Sequence, residues 1–375
     1  MRGEGMKIDK PLGGDPGDLG NIHRPTIEEL SNERLAGIPR FNYWVSGLLS
    51  GNDGNYYAFY LDIIVPWETY SFGVALLSGL SVEDEGFRQF HVRREIVKNT
   101  GCDRTGEKIV VWAPGDGERH RLAGDYGIYE IMEGGRYRLG MNIIDEEVPI
   151  HLELECSSSG MPFWYNRGRA ATIFPNGIRI AGIEEVCSAS GYIVFGGKRV
   201  ELRGFTDHEH FYNEVDAPEG NILDGIARYG GEYWMPFYSE GVHGIFVTFD
   251  KYLDGGIILG DQGEYLIPTD LEIKVLKRYK GYDFPTEVQV LADTDKGLLQ
   301  ITHRAIGLLY GNETISKVSG TFKYEDGGAI EIVDGFGWIE HITPPEQGDF
   351  IHAVLEKSYP EVFRYRVKRI QKARG

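Results

Sequence analysis

Residues 196–210 read GGKRVELRGFTDHEH, and residues 327–341 read GGAIEIVDGFGWIEH. Each segment contains Gly-Gly, six further residues, Gly-Phe, three residues and then Glu-His. A Ser-Gly pair precedes each segment, at Ser190 and at Ser319. Because Phe, Glu and His recur in the same register, the match indicates that one hairpin and its following strand are duplicated. The sequence therefore predicts two related domains.

Short glycine turns punctuate the chain between runs of aromatic and β-branched residues. They occur, for example, at residues 52–54, 133–135, 175–177 and 254–256. The chain has 51 Gly, 22 Tyr and 18 Phe, a composition that suits twisted sheets joined by tight turns. We therefore expect an all-β protein built from two antiparallel β-barrel or sandwich domains.

Chain length and composition shifts suggest where the domains begin and end. A chain of 375 residues is longer than a typical single hydrophobic core supports. The polar turn around Pro218 separates the two copies of the repeat, and apolar residues recur at helical spacing near the C-terminus. The predicted parts are an N-terminal arm (1–38), a first β domain (39–218), a second β domain (219–355) and a C-terminal helix (356–375).

Charge and cysteine content narrow the class of partner. The formal net charge is −18, which would repel a nucleic-acid backbone. The three cysteines form no C-x-x-C pair, so they are expected to be reduced. The N-terminal sequence has no apolar signal region, and no stretch of about 18 apolar residues occurs. We expect a cytoplasmic protein with no nucleic-acid partner and no membrane span; the sequence does not predict its oligomeric state.

The densest group of polar residues is the run TDHEHFY at 206–212. On a strand, Asp207 and Glu209 would share one face, and His208, His210 and Tyr212 the other. In an apolar pocket, burial and a neighbouring carboxylate would raise the pKa of one acid, so that it keeps a proton near neutral pH. The alternative is a buried hydrogen-bond network at the rim of a barrel.

The second copy of the repeat keeps fewer ionisable residues. Glu340 and His341 lie beside Trp338, and Trp338 stands where the first copy has Asp207. This loss favours a structural or substrate-binding role for Trp338, Glu340 and His341, and we group Tyr212 with them.

A metal site is a further alternative. His208-x-His210, followed after three residues by Glu214, has the spacing of a first cupin motif. No second motif accompanies it, and neither a phosphate-binding loop nor a G-x-S-x-G nucleophile motif occurs. We therefore predict no metal and no cofactor, and keep a cupin-like metal enzyme as an alternative.

The runs ASGYIVFGG at 189–197 and GFTDHEH at 204–210 resemble the end of the N-terminal domain in the carotenoid 1,2-hydratase (hydroxyneurosporene synthase) family. Residues 282–288 and 316–340 are similar to that family's Tyr-Pro strand and closing segment. The family usually continues Asp-His-Glu with Trp-Gly, whereas this chain has His210-Phe211. The resemblance implies two lipocalin-like barrels around an apolar ligand site, as in isoprenoid hydratases and in cyclases of polyketide-derived products.

These observations lead to a functional hypothesis with two alternatives. The chain is expected to be a hydratase, lyase or cyclase that protonates a double bond of an isoprenoid, polyene or polyketide-like substrate. Asp207 would donate the proton, Glu209 would tune its pKa or activate water, and His208 and His210 would orient the acids. The alternatives are a non-catalytic carrier of an apolar small molecule and the metal enzyme.

Overall fold

The computed structural model describes residues 6–7, 10–11, 23–26, 41–65, 69–77, 92–100, 110–112, 119–124, 127–145, 148–158, 160–165, 172–173, 179–214, 232–249, 252–260, 263–278, 285–310 and 313–342. In these residues nearly all secondary structure is β-strand, so the predicted fold class is confirmed. The strands are β1 (Met6–Lys7), β2 (Lys10–Pro11), β3 (Phe41–Gly51), β4 (Tyr56–Val65), β5 (Thr69–Leu77), β6 (Val92–Thr100), β7 (Val110–Trp112), β8 (Arg119–Gly124), β9 (Gly127–Met132), β10 (Arg136–Asp145), β11 (Val148–Ser158), β12 (Phe163–Trp164), β13 (Thr172–Ile173), β14 (Arg179–Phe195), β15 (Lys198–Glu214), β16 (Glu232–Ser239), β17 (Val242–Phe249), β18 (Tyr252–Leu259), β19 (Glu264–Leu266), β20 (Asp270–Arg278), β21 (Pro285–Asp293), β22 (Gly297–Tyr310), β23 (Glu313–Tyr324) and β24 (Ala329–Ile342).

The strands form two sheets, each with consecutive antiparallel neighbours. The first sheet has the order β6-β5-β4-β3-β15-β14-β11-β10-β9-β8-β7, with β12 and β13 also paired to β14. The second has the order β1-β20-β21-β22-β23-β24-β16-β17-β18-β19, with β2 parallel to β18. In both sheets the last long strand pairs with the first, β15 with β3 and β24 with β16.

The first sheet curls around its own core. The rings of Tyr43 on β3 and Tyr129 on β9 have centroids 6.2 Å apart, although four strands lie between β3 and β9 in the sheet order. In a flat sheet those strands would be about 24 Å apart at about 4.8 Å per step. The curled face carries the apolar core of this sheet, including Val45, Leu139 and Ile193.

The repeat occupies equivalent positions in the two sheets. The hairpin β14–β15 turns at Gly196-Gly197, where both φ angles are positive, and β23–β24 turns around Gly327. The later glycine of each copy allows a close strand approach. A Cβ on Gly204 would lie 2.2 Å from the Leu48 carbonyl oxygen of β3, and one on Gly335 would lie 3.0 Å from the Tyr238 carbonyl oxygen of β16.

The outer face of the first sheet packs against the second sheet along β15 and its neighbours. The Trp234 indole donates a hydrogen bond of 2.7 Å to Glu184. The rings of Phe205 and Tyr238 have centroids 6.0 Å apart. A third contact, between Tyr56 and Phe336, also has its ring centroids 6.0 Å apart. We call the region between the two sheets, marked by these contacts, the junction.

The N-terminal arm contacts both sheets. Residues 6–7 pair with β20 and residues 10–11 with β18 of the second sheet. In the first sheet, the His23 carbonyl accepts a 2.7 Å hydrogen bond from the Trp164 indole. The predicted C-terminal helix (356–375) lies outside the described residues, and the predicted domain boundaries stay predictions. Across the part of the chain that is described, no helix is long and apolar enough to cross a membrane.

Candidate functional site

Asp207 lies at the junction with its side chain fully buried. It is on the outer face of β15, and its register partners are Val186 on β14 and Ser46 on β3. Neither carboxyl oxygen has a hydrogen bond of normal geometry to a described residue. Burial, with a smaller contribution from the charge of Glu209, raises the pKa of Asp207 to about 8. Asp207 therefore holds a proton at neutral pH.

Glu184 is the carboxyl neighbour of Asp207, and it too is buried, at 1% exposure. Its Oε1 accepts the Trp234 indole at 2.7 Å, and its Oε2 accepts the Tyr165 hydroxyl at 3.1 Å. Burial and the charge of Asp207 raise the pKa of Glu184. Two carboxyl groups can hydrogen-bond to each other only when one is protonated. We call Asp207 and Glu184 the acid pair, and it retains a proton as a unit.

Tyr165 connects the acid pair to Glu209. Its hydroxyl lies 3.1 Å from Oε2 of Glu184 and 2.9 Å from Oε1 of Glu209. A hydroxyl has one proton, so Tyr165 can donate to one carboxyl group while it accepts from the other when that group is protonated. Glu209 is only partly buried. The contacts therefore form a continuous path from the acid pair to a residue that solvent reaches.

Further polar atoms at the junction lack partners. The Ser46 hydroxyl, the Tyr238 hydroxyl and the Trp338 indole nitrogen are buried and have no hydrogen bond of normal geometry to any described residue, although the side chains of Tyr238 and Trp338 interact with each other. The charges of Asp207 and Glu184 contribute, after burial, to a raised pKa of Tyr238, which places its hydroxyl close to the acid pair. An unpaired buried polar group costs about 1–3 kcal/mol. Several such groups around one acid require an explanation, such as a bound water or a catalytic role.

His208 belongs to the interior of the first sheet and lies on the opposite face from Asp207. Its Nδ1 lies 2.8 Å from the Tyr129 hydroxyl, and its Nε2 lies 2.8 Å from the Thr206 hydroxyl. Its ring also stacks on Tyr137 at 4.1 Å. Burial lowers the pKa of His208 to about 3, so the ring is neutral. The expectation that His208 orients Asp207 is therefore wrong in geometry, because alternate side chains of a strand point to opposite faces.

His210 lies in the same interior, where its ring stacks on Tyr43 at 4.1 Å. The sequence run 207–210 is therefore divided between two environments rather than gathered in one site. The metal alternative loses support, because both ring nitrogens of His208 are already engaged. Among the side chains that the structure describes, no three His, Cys, Asp or Glu converge as metal ligands.

A second buried network lies near His208. Glu185 accepts a hydrogen bond from the Tyr137 hydroxyl and pairs with Arg24 of the N-terminal arm. Arg24 also contacts Ser158 at 3.2 Å and donates to the Gly160 carbonyl. Glu185 is thus a buried charge that the arm neutralises. Its role here is to hold the arm on the first sheet.

The second copy of the repeat contributes to the junction through Trp338. Its side chain is fully buried. Glu340 is partly buried and pairs in register with Trp234. The side chains of Tyr212 and His341 lie outside the described part of the structure. The substrate-binding roles of all four residues stay predictions.

An open cleft of about 890 Å³ borders the junction on the outer face of the first sheet. Phe205, whose ring stacks near Tyr238, forms one end of it. Arg203 and the hydroxyls of Ser50, Ser188 and Ser190 line it, together with four further charged residues, Glu130, Arg136, Arg138 and Glu155. Phe205 and Asp207 are two residues apart on the same face of β15, so the cleft ends beside the acid pair.

Sequence reasoning missed Glu184, Tyr165 and Trp234. A signal for Glu184 was present: Glu184-Glu185 interrupts the otherwise apolar run IAGIEEVC at 180–187. Adjacent residues on a strand face opposite sides, so one acid had to enter each environment. Tyr165 and Trp234 carry no such signal, because only the packing of the two sheets brings them to Glu184.

No family model matches this sequence, and no curated protein sequence matches it. Solved structures match in fold. A protein described as an ATTH from Nitrosomonas europaea has a TM-score of 0.53 at 11% identity, over 87% of this chain and 98% of its own. Kievitone hydratase from Nectria haematococca has a TM-score of 0.51 at 11% identity, over 90% and 100%. CghA with Sch210972 has 0.50 at 10%, over 91% and 98%. The chain therefore shares the lipocalin-like fold of these proteins.

Proposed function

We propose that the protein is a hydratase or cyclase that protonates a double bond of a hydrophobic substrate at the junction, and that it is related to the carotenoid 1,2-hydratase family. The observation that carries the proposal is the acid pair. Asp207 is fully buried, has no hydrogen bond of normal geometry to a described residue, and is protonated at neutral pH. A neutral acid in an apolar, aromatic site is the form that general acid catalysis requires. The fold shared with kievitone hydratase supports the same class of chemistry.

The proposed reaction begins with transfer of the acid proton to an alkene carbon. A C–H bond forms, the π bond breaks, and the adjacent carbon becomes a cation while the acid pair becomes anionic. The rings of Phe205, Trp234 and Tyr238 stand at the junction, and each aromatic face stabilises a nearby cation by about 0.5–2 kcal/mol. Water or an internal nucleophile of the substrate then bonds to the cation, and the proton it loses returns to the acid pair.

The path through Tyr165 supplies the means of exchanging protons with solvent. When hydration ends, the acid pair has recovered its proton from water. When a ring closes and the cation then loses a proton, that proton likewise returns to the acid pair. If the returning proton is released at Glu209 instead, Tyr165 can pass a replacement to Glu184. We therefore assign Glu209 to the relay, rather than to direct contact with Asp207.

The experiment is a substrate screen in ¹⁸O-labelled water. Prenylated aromatics, linear isoprenoids and polyenes are incubated with purified protein, and products are analysed by mass spectrometry. Hydration adds one labelled water, and cyclisation gives an isomer of unchanged mass. Asp207→Asn should abolish either product while its unfolding curve remains cooperative. Turnover that survives Asp207→Asn would refute the proposed role.

A carrier of apolar small molecules is the second candidate, because the cleft beside the junction suits a ligand whether or not it reacts. Solvent extraction of the purified protein distinguishes the two. A bound compound that is recovered unchanged after long incubation, and equally from Asp207→Asn, would favour the carrier.

A further inference from the structure

We infer that the cleft beside the junction binds the anionic end of an amphiphilic substrate, with Arg203 as the recognising residue and Phe205 as the boundary to the reacting end. The inference rests on the proposed function for the position of the reacting double bond. The binding of the anionic end can be tested without turnover.

Size and position favour a ligand of this kind. The cleft holds about 890 Å³, within the range of about 300–1,000 Å³ for small-molecule sites. Its floor beside Arg203 is made of small hydroxyl side chains, since Ser190 on β14 and Ser50 on β3 are the register partners of Arg203. Next along the same face comes Phe205, at the edge of the junction. The floor thus changes from polar to aromatic in the direction of Asp207.

Arg203 differs from Arg138 and Arg199, which have carboxylate partners. Arg136, which also lines the cleft, donates from its Nε to the Glu133 carbonyl at 3.2 Å. Arg138 is shared between Glu130 at 3.7 Å and Glu153 at 3.5 Å. Arg199 pairs with Glu201 at 2.6 Å. Within the described residues, the guanidinium of Arg203 has no carboxylate partner. In a chain with net charge −18, a cation that lacks an internal partner and faces a cleft is suited to bind a carboxylate or phosphate.

The strand geometry gives the length of the ligand. Arg203 and Asp207 are four residues apart on β15, which corresponds to about 13 Å at about 3.3 Å per residue. An amphiphile that binds Arg203 through its anionic group would therefore place carbon atoms about 13 Å away beside the acid pair. The substrate class is then a long unsaturated acid, or a comparable phosphate, rather than a neutral hydrocarbon.

The test compares a fluorescent polyene acid, cis-parinaric acid, with its methyl ester in equilibrium titrations. We expect wild type to bind the acid about tenfold more tightly than the ester, the effect of about one charge-assisted hydrogen bond. Arg203→Gln should weaken acid binding by the same factor and leave ester binding unchanged. Arg199→Gln is the matched control, because it removes a nearby cation that already has a partner, and it should behave as wild type.

Equal binding of acid and ester by wild type, or an Arg203→Gln variant that still prefers the acid, would overturn the inference, as would failure of both compounds to bind. A failure of the proposed function looks different. In that case the preference for the acid depends on Arg203, but no tested alkene is protonated and Asp207→Asn changes nothing.

Discussion

Asp207→Asn is expected to stabilise the protein at neutral pH. In the unfolded chain Asp207 ionises near its ordinary value of 3.8, whereas in the folded protein burial raises its pKa to about 8. Between these values the folded state binds one proton more than the unfolded state. The free energy of unfolding therefore falls as pH rises through this window, by about 1.36 kcal/mol per pH unit from this group. The proton on Asp207 therefore stabilises the folded protein at low pH, and this stabilisation is lost by about pH 8.

The size of the effect follows from that window. At pH 7 the ionisation of Asp207 in the unfolded chain costs at most about 4 kcal/mol of stability. Asn has nearly the same shape and cannot ionise, so the variant does not pay this penalty. The gain is reduced by about 1–3 kcal/mol if any amide hydrogen of the Asn side chain is left without an acceptor beyond Glu184. We expect a net gain that grows with pH.

The measurement is urea unfolding, followed by tryptophan fluorescence, at several values between about pH 5 and about pH 8. The quantity of interest is the difference between variant and wild type, because groups elsewhere in the chain cancel in it. Glu331→Gln, at an exposed position, serves as control and should track wild type. A difference that is constant with pH, or that shrinks as pH rises, would show that Asp207 is ionised in the folded protein.

Three further predictions concern the neighbours of the acid pair. Tyr165→Phe should slow hydrogen–deuterium exchange of the buried carboxyl proton, followed by its infrared C=O band, whereas Tyr129→Phe should not; equal rates would exclude the relay. Trp234→Phe should lower the free energy of unfolding by about 1–3 kcal/mol, since Glu184 loses a buried donor; an unchanged urea midpoint would contradict this. His208→Ala should cost about 2–4 kcal/mol of stability through its lost hydrogen bonds and the cavity it leaves, yet leave the carboxyl band unshifted, because His208 lies on the other face of β15.

The duplication and the β class could be predicted because both depend on local pattern. Gly196-Gly197 needs positive φ angles, and Gly204 and Gly335 allow strands to approach, so these residues recur at fixed spacing wherever the unit recurs. The assignment of Asp207 and His208 to opposite faces follows from strand geometry in the same way. The sequence could not indicate which face is enclosed, since that depends on the second sheet.

The acid pair could be predicted only in part. Asp207 stands out as one of four consecutive ionisable residues. Glu184 lies 23 positions earlier and reaches it through strand pairing, since Glu184 is opposite Glu209 in register. Trp234 belongs to the other sheet. A single sequence does not show how one sheet packs on another. Partners such as Trp234 are therefore identified only from the structure.

The repeat explains why the site lies where it does. Asp207 and Trp338 occupy equivalent positions in the two copies, on the faces of β15 and β24 that meet at the junction. An unmodified duplication would have placed two acids, or two aromatic residues, at these positions. Two acids would lack a ring surface for a cation, and two aromatic residues would lack a proton donor. Divergence at this one pair of positions gives an acid on one side and an indole on the other, and both halves of the chain are then needed for the proposed chemistry.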